Sequence, residues 1–154
     1  PNQGSTFTVL LPLQGQVASK QQPSQPSLEN LMGTETILIV EDEEYIRNLI
    51  FKFLSPYGYK IFDAPNAGEA LLLCEGIQEP IHLLVTDVIL PHMDGRRLYQ
   101  RLKQILPSMK VLFISGYPRK ILLEKGLLEE EDSFLQKPFD LEGFLQKVRS
   151  ILDI

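Results

Sequence analysis

The sequence predicts a doubly wound α/β domain in which five parallel strands alternate with five helices, and three observations carry that prediction. Ile37-Leu38-Ile39-Val40, Leu83-Leu84-Val85 and Val111-Leu112-Phe113-Ile114 are continuous apolar runs, the pattern of central strands covered on both faces. Stretches with helical apolar spacing lie between them. Parallel strands joined by helical crossovers then give a layered sheet rather than a bundle or sandwich.

In chain order, Ser5-Thr6-Phe7-Thr8-Val9-Leu10-Leu11 reads as a lone strand within residues 1–12. Residues 13–33 are rich in Gln, Ser and Pro with few large apolar side chains. Such a stretch cannot bury enough surface to offset its ordering entropy, so it reads as a linker. Residues 34–154 form the compact domain, with no internal repeat. After the first strand, Ile46, Leu49, Ile50, Phe53 and Leu54 make one buried helical stripe. Tyr59–Phe62 is mixed in character and suits an edge strand. Asn66 and Glu69 then resemble a capping box, opening a helix with Ala67, Ala70, Leu71 and Cys74 inward. The third strand is followed by Asp94-Gly95 and a stripe of Leu98, Leu102, Ile105 and Leu106. Past the fourth strand, a short helix spans about Arg119 to Lys125, and Phe134-Leu135 is a brief edge strand. Asp140 opens the last helix, with Leu141, Phe144, Leu145, Val148 and Leu152 on one face. Placing the two least apolar strands at the edges selects the flavodoxin-like order 2-1-3-4-5.

Composition narrows the function. Of 154 residues, 23% are charged and the net charge is -5, all of it carried after residue 33. An acidic domain offers no broad basic surface for a phosphate backbone, which argues against nucleic acid as a partner. The single cysteine, Cys74, excludes an internal disulfide and suits a reducing cytoplasm. No stretch approaches the roughly 20 apolar residues of a membrane span, and the start lacks the pattern of a signal peptide. Because the sequence begins at Pro1 rather than Met, it is expected to be a piece of a longer chain.

Ligands of open parallel sheets bind beyond the carboxyl ends of the strands. The first strand ends in Glu41-Asp42, the third in Asp87, the fourth in Ser115-Gly116 and the fifth in Lys137-Pro138. Each alone has a plain structural explanation. An acidic run suits a helix start, a strand-end Asp or Ser suits a turn, and lysine is usually solvated. Their coincidence on one rim is what one reaction requires, phosphoryl transfer to a carboxylate. Clustered carboxylates call for a cation, and a hard divalent ion such as Mg²⁺ accepts carboxylate, phosphate and water oxygens. Asp87 then serves as nucleophile, Lys137 offsets charge on the incoming group, and Ser115 donates to a phosphoryl oxygen.

From Thr36 to Leu152 the sequence resembles the response-regulator receiver family. The residues that carry the resemblance are Ile-Leu-Ile-Val-Glu-Asp-Glu at 37–43, Thr-Asp-Val-Ile-Leu-Pro-His-Met-Asp-Gly at 86–95, Phe-Ile-Ser-Gly-Tyr at 113–117 and Phe-Leu-Gln-Lys-Pro-Phe at 134–139. The resemblance implies Asp87 as phosphoacceptor, Asp42 as direct Mg²⁺ ligand, Glu41 as a ligand through water and the Ile89 backbone carbonyl as a further ligand. It implies Ser115 as the switch hydroxyl, Phe134 as an aromatic switch that rotates inward, Lys137 as the conserved-type lysine and a cis Lys137-Pro138 bond. Glu41 stands where Asp is more frequent, and Phe134 where Tyr is. The donor implied is a histidine kinase or a histidine phosphotransfer domain, the compartment is cytoplasmic, and the readout is the face of the fourth helix, fifth strand and fifth helix. A receiver of this kind has no turnover beyond its own phosphorylation and dephosphorylation.

Gly4-Ser5-Thr6-Phe7-Thr8-Val9-Leu10-Leu11-Pro12 is similar to the final strand of a histidine-kinase ATP-binding domain. The parent is then a hybrid histidine kinase, with residues 1–12 a remnant of its ATPase module. Separated from its sheet, the 5–11 strand would offer unpaired edges for weak self-association. Two other readings compete with the receiver. A haloacid-dehalogenase-type phosphatase shares Asp, Ser, Lys and Mg²⁺, but carries a second Asp where this sequence has Ile89. A binding module that works without phosphorylation needs none of these site residues.

Overall fold

Strands β1 (Thr36–Val40), β2 (Lys60–Ala64), β3 (Leu83–Asp87), β4 (Lys110–Ser115) and β5 (Phe134–Gln136) form one parallel sheet in the order β2-β1-β3-β4-β5. Helices α1 (Glu44–Leu54), α2 (Ala67–Gly76), α3 (Gly95–Ile105), α4 (Arg119–Glu124) and α5 (Leu141–Leu152) alternate with them. The computed structural model describes residues 28–154. The lone strand expected at 5–11 and most of the expected linker lie outside that range.

The period-two alternation of each strand sorts its side chains into two separate cores. Ile37 and Ile39, Leu83 and Val85, Leu112 and Ile114 face one layer, filled by Ile50 and Leu54 of α1 and Phe144, Leu145 and Val148 of α5. Leu38, Val40, Leu84, Val111 and Phe113 face the other, against α2, α3 and α4. Every residue of β1 and β3 is buried, so the continuous apolar runs follow directly from burial on both sides. The edge strands β2 and β5 have no such continuity.

Local chemistry sets the helix starts. Asn66, Asp94 and Asp140 cap α2, α3 and α5 by accepting the backbone N–H of Glu69, Arg97 and Gly143. Asn66 and Glu69 also join side chain to side chain, a variant of the expected capping box.

Three expectations need correction. Ile105 is 57% exposed and Leu141 is 39% exposed, so neither belongs to its helix's buried stripe. On α3 the buried arc turns from Leu98 through Leu102 toward Tyr99 and Leu106, and about 100° of rotation per residue carries Ile105 off its edge. On α5 the inward position is instead taken by Ile151. The end of the expected linker is also structured. Leu28–Leu31 forms a 3₁₀ turn, Leu31 is buried, and its carbonyl accepts the Tyr59 hydroxyl at 2.9 Å. Arg149 of α5 pairs with Glu35 at 2.8 Å, so this segment is packed on the domain rather than solvated.

Candidate functional site

Sheet register brings the predicted residues to one rim. Asp87 ends β3 opposite Ile114, Ser115 ends β4 opposite Gln136, and Lys137 follows β5 directly. The Lys137 N–H donates to the Ser115 carbonyl at 2.8 Å, which extends the β4–β5 ladder by one step. The Lys137-Pro138 bond is cis, as expected. Val88 continues the other side by donating to Ile114 O at 2.9 Å.

At the centre, the Lys137 ammonium donates to Asp87 Oδ2 at 2.6 Å and to Glu41 Oε2 at 2.8 Å. Asp87 Oδ1 accepts the Ile89 N–H at 2.8 Å, and Glu41 Oε1 accepts the Glu43 N–H at 3.4 Å. Glu41 is fully buried, while Asp87 keeps 8% exposure. Asp42 is exposed and makes no side-chain hydrogen bond among the described residues. The structure thus joins Glu41 and Asp87 through Lys137 and sets Asp42 apart at the solvent side. Among the described residues no three His, Cys, Asp or Glu side chains form a ready-made metal cage.

Electrostatics follow from this placement. Burial pushes the Glu41 carboxyl up, and the nearby Asp87 adds to the rise, outweighing the bond from Lys137. For Lys137, burial alone would lower the pKa, but bonding to Asp87 and Glu41 holds it above its ordinary value. One cation therefore serves two inward carboxylates, and with Asp42 nearby in sequence the rim is left with excess negative charge. An all-oxygen donor set with that imbalance fits a hard divalent cation, which needs only one or two carboxylates and completes its shell with water and phosphate oxygens.

The remaining expected residues sit around this centre. Ser115 is 1% exposed, and its Oγ accepts the Tyr117 N–H at 3.3 Å. Phe134 begins β5, half-buried, with the Arg119 guanidinium 5.9 Å from its ring centroid. Ile89 is 44% exposed beside the rim. His92 lies in the following loop with a left-handed φ of 66°.

Sequence reasoning missed three contributors. Thr86 Oγ1 donates to the Asp87 carbonyl at 3.0 Å. Gly95 packs its Cα hydrogen against the Asp87 carbonyl and the Thr86 side chain, and its N–H donates to Val88 O at 3.0 Å. Arg47 donates to the Glu41 carbonyl at 2.7 Å. Only Gly95 left a signal, as a glycine at a helix start where a side chain would ordinarily be preferred.

A parallel 2-1-3-4-5 sheet with a lysine paired to two carboxylates on its carboxyl rim defines a flavodoxin-like α/β domain with a charged rim site. Residues 37–149 match the response regulator receiver domain, and the chain belongs to that family. It is 30% identical over 158 residues to the sensor kinase CckA of Brucella abortus (strain 2308), an alignment covering 97% of this chain and 17% of the kinase. It is 31% identical to the response regulator receiver protein CpdR of the same organism, covering 75% of this chain and 95% of CpdR. The chain thus spans a small part of the kinase and nearly all of the free-standing receiver. Among solved structures, the receiver domain of the hybrid histidine kinase CckA superposes with a TM-score of 0.63 at 34% identity, covering 75% of this chain and 96% of that one. The signal receiver domain of an HD domain-containing protein from Pseudomonas fluorescens Pf-5 gives a TM-score of 0.68 at 31% identity, covering 79% and 96%. The chain is therefore a receiver domain of two-component signalling, with hybrid kinases among its relatives. No helix among the described residues is long and apolar enough to cross a membrane.

Proposed function

We propose that this receiver accepts a phosphoryl group from a phosphohistidine onto Asp87, in a Mg²⁺-dependent reaction, and changes conformation in response. The observation that carries the reading is the Lys137 ammonium held between Asp87 and Glu41 at 2.6 and 2.8 Å, beside a carboxylate that solvent can still reach. In the transfer, an Asp87 oxygen forms a bond to phosphorus as the phosphorus–nitrogen bond breaks, and the electron pair returns to the imidazole. Lys137 is released from its carboxylate partner toward a phosphoryl oxygen. Bound Mg²⁺ would supply charge neutralisation of the phosphoryl oxygens, held by Asp42 and Asp87 directly, Glu41 through water and the Ile89 carbonyl.

Ser115 turns its hydroxyl from accepting the Tyr117 N–H to donating to the phosphoryl group, and Phe134 moves into the space this vacates. Charge-assisted hydrogen bonds contribute roughly 1.5–3 kcal/mol each; Lys137 exchanges a carboxylate oxygen for a phosphoryl oxygen, so the Ser115 bond is the new one and supplies about that much. A shift of that size moves a two-state equilibrium by about 10–100-fold, part of the roughly 5.5 kcal/mol that near-complete reversal takes. The readout is the face of α4, β5 and α5 around Phe134.

A histidine kinase or a phosphotransfer domain is the donor class. The match to CckA covers 97% of this chain, reaching well before residue 37, where the receiver family begins. That reach supports a hybrid kinase parent, with residues 1–12 the end of its ATPase domain and the receiver in the cytoplasm. Intact-mass spectrometry after incubation with acetyl phosphate and Mg²⁺ tests the chemistry. One added phosphoryl group, lost in Asp87→Ala and without Mg²⁺, is expected. A folded protein that gains none refutes the phosphoacceptor reading and favours a binding module.

A further inference from the structure

Arg47, in the first turn of α1, reaches back to the turn that carries the acidic pair. Its Nη1 donates to the Glu41 carbonyl at 2.7 Å, and its Nε pairs with Asp63 Oδ2 at 3.1 Å. Asp63 stands in β2 opposite Ile39 of β1, and the Glu41 N–H meets the neighbouring Ala64 carbonyl at 3.3 Å. One side chain, only 15% exposed, therefore ties the ends of two strands to the start of a helix.

Within the turn itself, the one other side-chain bond is the long one from the Glu43 N–H to Glu41 Oε1, at 3.4 Å. Helices α2, α3 and α5 each start on a residue whose side chain caps the helix, but Glu43 makes no cap bond to α1. The Asp42 and Glu43 side chains make no hydrogen bond of their own among the described residues. Besides the backbone bonds of Glu41 N–H to Ala64 O and Arg47 N–H to Glu43 O, the short side-chain bond from Arg47 to the Glu41 carbonyl holds the backbone here.

We propose that Arg47 is a positioning residue for the divalent cation, fixing the Glu41-Asp42 turn so that both carboxylates meet the ion. This rests on the Mg²⁺ reading given above. Two effects of opposite sign act through Arg47. Its positive charge disfavours a nearby cation, but one charge acting through a high dielectric changes affinity only about fivefold. Groups that orient metal ligands contribute more, about 10–100-fold. Geometry should win.

The test is a Mg²⁺ titration of the folded protein, followed by backbone amide NMR shifts, on wild type, Arg47→Met, Arg47→Lys and Asp63→Asn. The lysine variant keeps the charge but loses the two-pronged bridge. Both Arg47 variants should bind Mg²⁺ at least about tenfold more weakly, with Asp63→Asn weakened less. Thermal unfolding without Mg²⁺ is measured alongside, since a merely structural role lowers the midpoint and leaves the affinity alone. Unchanged affinity in both Arg47 variants overturns the inference, as does tighter binding in Arg47→Met with Arg47→Lys unchanged. Wild type without any Mg²⁺-dependent shifts overturns the cation site itself, and this inference with it.

Discussion

Replacing Gly95 with alanine inserts a methyl group where the first turn of α3 meets the end of β3. The new Cβ would lie 2.9 Å from Thr86 Oγ1 and 3.1 Å from Thr86 Cγ2, and closer still to the Asp87 carbonyl oxygen. Real Cβ contacts essentially never fall below 3.0 Å, and the nearest atom is backbone, so the helix or the strand end must shift. Overpacking of this kind costs about 1–3 kcal/mol. Alanine regains at most about 1 kcal/mol of helix propensity, and less at the first position. The net loss is then about 1–2 kcal/mol, or roughly 3–10 °C in unfolding midpoint for a domain of this size. Chemistry suffers separately, because a displacement on the order of 1 Å at a reacting group costs about 100-fold in rate. Calorimetry measures the first effect, and the rate of Asp87 phosphorylation by acetyl phosphate the second. An alanine variant that melts within about 1 °C of wild type and is phosphorylated at the wild-type rate would refute the close-approach reasoning.

Glu41→Gln should raise stability at neutral pH while weakening Mg²⁺ binding, since it removes a buried charge whose protonation the fold favours. A folded-state pKa above the ordinary 4.5 means the protonated form is preferred, so this advantage vanishes below that value and grows as pH rises through the folded pKa; urea melts across pH check it. Arg149→Met should cost about 1–2 kcal/mol, because it breaks the bond to Glu35 and the contact with Tyr59 that anchor residues 28–35. Burial alone would raise the Glu35 pKa, but Arg149 holds it below 4.5, so the gap between the two proteins should narrow as pH falls through that lowered pKa. Arg119→Met removes donors to the carbonyls of Glu129, Glu130 and Asp132, and should speed amide exchange in that turn, read by hydrogen-exchange mass spectrometry. Unchanged protection there would show that the turn is held without Arg119.

Much of this protein is legible in its sequence because burial and capping are local codes. The continuous runs at 37–40, 83–85 and 111–114 mark strands covered on both faces, and the structure places them at the centre of the sheet. Asn66, Asp94 and Asp140 announce helix starts and are the caps. The candidate site is legible for a similar reason, since residues ending parallel strands share one rim whatever the details of packing. Glu41, Asp87, Ser115 and Lys137 could therefore be gathered from their positions in the chain alone.

Tertiary structure decided what depends on distances between elements. That Lys137 would lie between Asp87 and Glu41, leaving Asp42 at the solvent edge, depends on how far each strand end projects. The exposure of Ile105 and Leu141 depends on where each helix rests on the sheet, which apolar spacing does not specify. Residues 28–33 looked like linker by composition, yet Tyr59, distant in sequence, gives Leu31 a partner, and Arg149 gives one to Glu35 just beyond, that no local pattern reveals. Likewise Arg47 is one more charged residue of a helix until the fold brings the Glu41 carbonyl to its guanidinium. The sequence by itself determined the elements, their order and the residues on the rim, because periodicity and strand ends are written locally. The pairing of charges, the anchoring of the acidic turn and the packing of Leu31 against Tyr59 belong to the tertiary structure, because each arises from contacts between segments far apart in the chain.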